Sequence, residues 1–146
     1  MIDKCLINTD ILIAAYTDAD KERKEIARSL ILKLYNEHKA SISIQNLAEY
    51  ANITSGKLKI MDKKKLGEDL INIQNIFEVI QYNQTTITDA LELSIEKSMN
   101  FYDALLLQTM LDNKVTTIYT FNHKDFKKIK GIKVVNPTSL KKFIKK

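Results

Sequence analysis

The sequence predicts an α/β domain of three layers, α/β/α, around a short and mainly parallel sheet. Three observations carry that expectation. Short apolar runs alternate with helix-spaced apolar patterns along the whole chain. Only three glycines and one proline occur in 146 residues, too few tight turns for an all-β sandwich or barrel. No linker rich in Gly, Pro or Ser divides the chain, so residues 1–146 read as one domain.

The elements follow in order. Met1–Ile7 carries Ile2, Cys5, Leu6 and Ile7 and reads as a short buried strand. Asn8, Thr9 and Asp10 supply capping side chains for an apolar helix over Ile11–Tyr16. Lys21–His38 places apolar residues at 26, 27, 30, 31, 34 and 35, which is helical spacing. Ala40–Ile44 reads as a second strand, and Gln45–Thr54 as a helix that Ser55-Gly56 closes. Lys63–Ile76 aligns Leu66, Leu70, Ile73 and Ile76 along one helix side. Phe77–Gln81 is a strand, and Thr86–Ser98 a helix with Thr86 or Thr88 near its start. Tyr102–Asn113 is apolar over a width that implies burial on more than one side. Val115–Thr120 and Ile132–Val135 are the last strands, and Pro137 opens a short tail helix.

Composition narrows the function classes. Hydrophobic residues make up 45% of the chain and charged residues 28%, as in ordinary soluble domains. No apolar run approaches the ~18 residues of a membrane span, so no membrane association is expected. A single cysteine, Cys5, and an N-terminus without a basic segment leading into an apolar core suit a reducing, cytoplasmic setting. Charge is uneven. From Phe121 to Lys146 nine lysines accompany one acid, Asp125, while the preceding residues carry a small excess of acid. Such an end suits a polyanion such as RNA, with Lys124, Lys127 and Lys128 as the contacts.

Ligands of open parallel sheets bind beyond the carboxyl ends of the strands. Asn8, Thr9 and Asp10 follow the first strand, Glu49 lies past the second, and Asn122 and Asp125 follow the strand that ends at Thr120. Asp103 opens the apolar helix beside Leu106 and Leu107, where an acid is costly to bury unless paired or bound to a cation. Four segments thus deliver acids to one edge. Taken singly each has an ordinary reading: Asp10 as a helix start, Glu49 as a solvated residue, Asp103 as a first-turn acid, Asp125 as a partner of Lys124 or Lys128. Together they repel, and a hard divalent ion, Mg²⁺ or Mn²⁺, relieves the repulsion through oxygen ligands. An acidic ion site beside a lysine-rich surface suits phosphodiester hydrolysis.

The spacing of these groups resembles the PIN domain family, in particular its small VapC-like toxins, over nearly the whole chain. The residues that carry the resemblance are Ile7-Asn8-Thr9-Asp10-Ile11-Leu12, the stretch Ser43 to Glu49, Tyr102-Asp103-Ala104-Leu105-Leu106, the set Thr120, Asn122, Asp125 and Phe126, and the closing Ile132 to Pro137. The resemblance implies a Mg²⁺- or Mn²⁺-dependent endoribonuclease, the toxin of a toxin–antitoxin pair. Glu49, Asp103 and either Asp10 or Asn8 would hold the ion, and Asp125 or Asn122 would complete its shell. Thr9 and Thr120 would orient ligands or phosphate. Relatives imply a homodimer and a cognate antitoxin protein.

One departure stands out. The family's first acid falls on Asn8, and its usual Asn or Ser falls on Asp10. With Asn8 inward the site loses one charge; with Asp10 reaching the same cavity the count survives. The reading taken keeps activity, with Asp10, Glu49, Asp103 and Asp125 as catalytic and ion-holding residues. The exchange also motivates an alternative, a catalytically weak PIN-like module that binds RNA. A phosphotransfer receiver is disfavoured because no adjacent acidic pair precedes Asp10. His38, His123 and Cys5 have no zinc spacing, and no glycine-rich phosphate loop occurs.

Overall fold

The structure is a computed structural model; it describes residues 3–57, 62–126 and 129–140, with the backbone alone at Lys57, Asp125 and Leu140. Five short strands form one sheet: β1 (Cys5–Ile7), β2 (Ala40–Ser43), β3 (Glu78–Ile80), β4 (Thr117–Tyr119) and β5 (Lys133–Val135). Their order is β3-β2-β1-β4-β5, and every pairing is parallel. The described helices are α1 (Thr9–Tyr16), α2 (Lys21–Asn36), α3 (Ile44–Asn52), α4 (Lys63–Ile76), α5 (Gln84–Lys97) and α6 (Phe101–Asp112). The three-layer α/β/α prediction is therefore met.

A parallel sheet needs helices on both faces, and β1 records this in three residues. Successive strand side chains point to opposite faces. Cys5 and Ile7 enter the core built with α1 to α4, whereas Leu6 enters the core with Leu106, Leu107 and Met110 of α6. All three β1 residues are buried. The apolar width of α6 follows: Ala104 to Leu107, Thr109 and Met110 are all buried between the sheet and α5.

Boundaries shift where capping chemistry was misjudged. Asn83, not a threonine, caps α5: its side chain accepts from the Thr86 amide at 3.1 Å while Thr86 Oγ1 accepts from the Asn83 amide. Helix α3 does not close at Ser55-Gly56. It runs on as a π-helical turn, Ile53–Lys57, because the Thr54 and Ser55 hydroxyls donate back to the carbonyls of Tyr50 and Ala51 and stay compatible with helix. The tail helix at Pro137 is a 3-10 turn, Pro137–Leu140.

The order places β1 at the centre: the chain runs outward from β1 through β2 to β3, then crosses back to β4 on the other side of β1. That reversal between β1 and β4 is where open α/β sheets bind ligands. The carboxyl ends of β1, β2 and β4 therefore meet at one edge. At β2 the chain turns straight into α3 through a reciprocal cap. Ser43 Oγ accepts from the Asn46 amide at 3.2 Å, and Asn46 Oδ1 accepts from the Ser43 amide at 2.9 Å. Replacing Ser43 by Ala is expected to lower unfolding stability by about 1 kcal/mol, read as a lower urea midpoint at unchanged slope.

Candidate active site

The polar edge is assembled from the backbone outward. Asn8 follows β1 and bridges two neighbours: its Nδ2 donates to Thr120 Oγ1 at 3.2 Å, and its Oδ1 accepts from Asn46 Nδ2 at 3.4 Å. Thr9, the first residue of α1, accepts from Asn46 Nδ2 at 3.0 Å and donates to Glu49 Oε1 at 2.9 Å. One buried amide, Asn46, thus links β2, the end of β1 and, through Thr9, the Glu49 carboxylate.

Asp10 is turned toward β4. Its Oδ2 accepts from Thr120 Oγ1 at 2.9 Å and from the Phe121 amide at 2.8 Å, and its Oδ1 accepts from the Ile11 amide at 3.0 Å. Thr120 is saturated, since its hydroxyl donates to Asp10 and accepts from Asn8 and from the Asn122 amide. The exchanged pair Asn8 and Asp10 therefore meet on one hydroxyl. Burial pushes the Asp10 carboxyl above its usual range, opposed by these hydrogen bonds.

Glu49 and Asp103 lie within electrostatic reach of each other. Burial raises the Glu49 pKa, the bonds from Thr9 and Gln45 oppose that rise, and the negative charge of Asp103 adds to it. Residues 49 and 103 come from α3 and α6, so the repulsion is built by tertiary structure. Asp103 lies in the first turn of α6, whose Asn100 cap accepts from the Tyr102 and Asp103 amides. Gln45 ties the two helices together, donating from Nε2 to the Tyr102 carbonyl at 2.9 Å.

The remaining predicted residues are placed as follows. Asn122 is exposed and follows Thr120, and Asp125 ends a 3-10 turn, His123–Asp125, beyond β4. Lys124 is exposed on the same turn. Lys127 and Lys128 lie outside the described residues. The residues that sequence reasoning left out of the site are Asn46 and Gln45. The Ser43-x-x-Asn46 spacing is a capping-box signal that pointed to Asn46; nothing in the sequence separates Gln45 from a surface amide.

Among the described residues no group of three or more His, Cys, Asp or Glu side chains is close enough to hold an ion. Glu49 and Asp103 thus stand as a pair. Mg²⁺ is commonly held by one or two carboxylates with waters retained, and the donors here are all hard oxygens. Cys5 is buried in the core. The pair fits a divalent cation.

A sequence model of the PIN domain matches residues 5–132. The chain belongs to the PIN domain family. Nucleases of that family generally use divalent metals. Solved structures share the fold. A toxin–antitoxin complex from Klebsiella pneumoniae aligns with a TM-score of 0.64 at 23% identity, covering 92% of this chain and 98% of that one. A Pyrobaculum aerophilum protein aligns with a TM-score of 0.64 at 18% identity, covering 99% and 98%. VapC20 of Mycobacterium tuberculosis, a toxin that cleaves the sarcin–ricin loop, aligns with a TM-score of 0.60 at 15% identity, covering 79% and 87%. No curated protein matches the sequence. Among the described residues no helix is long and apolar enough to cross a membrane.

The Glu49 pKa has a consequence for stability. A carboxyl raised in the folded state binds more protons folded than unfolded across the window between its two pKa values. Its contribution is present below the unfolded value and is lost as pH rises through the folded one. Glu49→Gln, which keeps an oxygen for Thr9, is therefore expected to be more stable than the parent at neutral pH without metal. Urea midpoints measured from pH 4 to 7.5 should diverge upward with pH.

Proposed function

We propose that the protein is a Mg²⁺- or Mn²⁺-dependent endoribonuclease, the toxin of a toxin–antitoxin pair. The observation that carries this reading is the bonded edge in which Thr9, after β1, and Asn46 of α3 fix the Glu49 carboxylate, with the negative charge of Asp103 near enough to add to the rise of the Glu49 pKa. Membership of the PIN family supports nuclease chemistry.

In this reading Glu49 and Asp103 hold the ion, and Asp125 completes the set from the turn after β4. The ion supplies Lewis-acid charge at the phosphate and lowers the pKa of attacking water. The chain does the rest. Thr9 fixes Glu49 through its hydroxyl, and Asn46 fixes Thr9. Asp10, expected among the ligands, already accepts three hydrogen bonds. Its place is to orient Thr120, and through it Asn8, with its negative charge one bond behind the site. Thr120, buried and saturated, orients Asn8 and Asp10, the exposed Asn122 lines the approach of the phosphate, and Lys124, Lys127 and Lys128 attract the RNA backbone.

Partners belong to the same proposal. The Klebsiella complex supports an antitoxin, a protein partner that would use exposed apolar surface. An open apolar cavity of about 490 Å³ bordered by Ile31, Leu32, Tyr35 and Ile76 provides such surface. Ile87, Leu91 and Ile95 form an exposed stripe along α5 that a second copy could cover in a homodimer. A cytoplasmic location follows from an RNA substrate. The alternative, an RNA-binding module with weak catalysis, is favoured by one observation, the neutral amide of Asn8 between Thr120 and Asn46.

The experiment that tests the nuclease reading uses varied single-stranded RNAs with Mg²⁺ or Mn²⁺. Asp103→Asn is expected to cut roughly 100-fold or more slowly than the parent, with an unchanged circular dichroism spectrum. Equal rates, or RNA binding that survives chelation with no cutting by either protein, favour the binding module.

A further inference from the structure

An open cleft of about 760 Å³ adjoins the acid pair, and Glu49 itself lines it. That volume lies within the usual range for a small-ligand site. Its other contributors are unlike the rest of the surface. Two tyrosines line it, Tyr82 at 36% exposure and Tyr102 at 61%. Three amides join them, Gln45, Asn52 and Gln81, and among the described residues no lysine or arginine lines the cleft. A phosphate would meet no described cation there. A neutral, planar group with hydrogen-bonding edges would find both aromatic faces and amides.

Gln45 adds a separate observation. It is 8% exposed, and its Oε1 has no hydrogen-bond partner among the described residues. A buried acceptor without a donor is costly, and the residue that carries it is one of those that line the cleft. Its Nε2 is committed to the Tyr102 carbonyl, so the amide cannot simply turn to satisfy itself. Glu49 lines the same cleft as Tyr102, so an object resting on Tyr102 sits beside that acid.

We propose that this cleft is a nucleobase subsite, which takes one unstacked base of single-stranded RNA next to the bond being cut, with Tyr102 and Tyr82 as stacking surfaces and the amides of Gln45, Asn52 and Gln81 as hydrogen-bonding readers. Unpaired bases stack on aromatic side chains and present donors and acceptors on their edges, which suits a cleft that combines two tyrosines with the amides of Gln45, Asn52 and Gln81. The inference rests on the ribonuclease reading and deepens it: sequence selection arises on the α3–α6 side of the site, while the lysines after β4 act on the backbone without regard to sequence.

The test uses the full chain with Mn²⁺, an RNA oligonucleotide that it cuts, and the same oligonucleotide made abasic on either side of the cut bond. Tyr102→Ala and Tyr82→Ala are expected to lower kcat/KM by roughly 5- to 150-fold, with Tyr→Phe at either position within about twofold of the parent. One abasic substrate should show a similar loss with the parent protein and little further loss with Tyr102→Ala. Cutting that is indifferent to both Ala variants and to both abasic sites overturns the subsite. So does a Tyr102→Phe variant as impaired as Tyr102→Ala, or Ala variants whose loss of activity tracks conversion of a dimer to monomer in sedimentation, since the cleft is then covered by a second copy. A second readout separates the two proposals: binding of RNA carrying 2-aminopurine, without divalent metal. Quenching that needs Tyr102, in a protein that cuts no RNA, keeps the subsite and removes the nuclease; cutting that needs Asp103 but neither tyrosine keeps the nuclease and removes the subsite.

Discussion

Asn46 is the constraint on which the carboxyl edge of the sheet depends. It is fully buried, and its side chain makes contacts in two directions. Oδ1 closes the cap of α3 against Ser43, and Nδ2 reaches across to Thr9 and Asn8 at the end of β1. A buried polar group is tolerated only when satisfied, and a fully satisfied network in a low dielectric is stiff. The direction of Glu49 follows from that stiffness, because the hydroxyl that Asn46 orients is the one that donates to Glu49.

The parallel sheet turns this local device into a site. With β1 between β2 and β4, the segments after all three strands are neighbours. The Asn8–Thr120–Asp10 chain ties β1 to β4, and the Asn8–Asn46 bond ties β1 to α3. Only the Asp103 carboxylate comes from elsewhere, carried in by α6 from the layer on the far side of the sheet. The exchange of acid and amide around Thr9 is absorbed by the same network. The amide occupies the bridging position between two neutral partners, and the acid is neutralised in part by backbone N–H groups at Ile11 and Phe121. The result is an edge with three described acids, Glu49, Asp103 and an Asp10 set behind a threonine.

Much of this was legible in the residues, and the reason is periodicity. Lys63–Ile76 is bounded as expected, because its apolar residues recur at helical spacing and Asp62 caps it. The strands were legible as short β-branched or apolar runs, although β1 and β4 are shorter than those runs, as pairing with neighbours limits the ladder. The helix expected over Thr86–Ser98 starts two residues earlier, at Gln84, since Asn83 outcompetes the threonines as a cap. At the site, the meeting of 8, 9, 49 and 120 followed from strand order, whereas 103 is placed by α6. The direction of Asp10 did not, because a residue at the start of a helix can face either neighbour and only the position of Thr120 in three dimensions decides. Gln45 was invisible for a similar reason: its partner is a carbonyl 57 residues away.

The central claim is that repulsion between Glu49 and Asp103 is relieved by one divalent cation while Asp10 remains bonded to Thr120 and Phe121. Crystals soaked in Mn²⁺ and measured at the manganese absorption edge test it most directly. The account predicts an anomalous peak with oxygens of both Glu49 and Asp103 about 2.1 Å away and the three hydrogen bonds to Asp10 intact. A peak bound by Asp10 with Glu49 turned away, or no peak at saturating Mn²⁺, would contradict it.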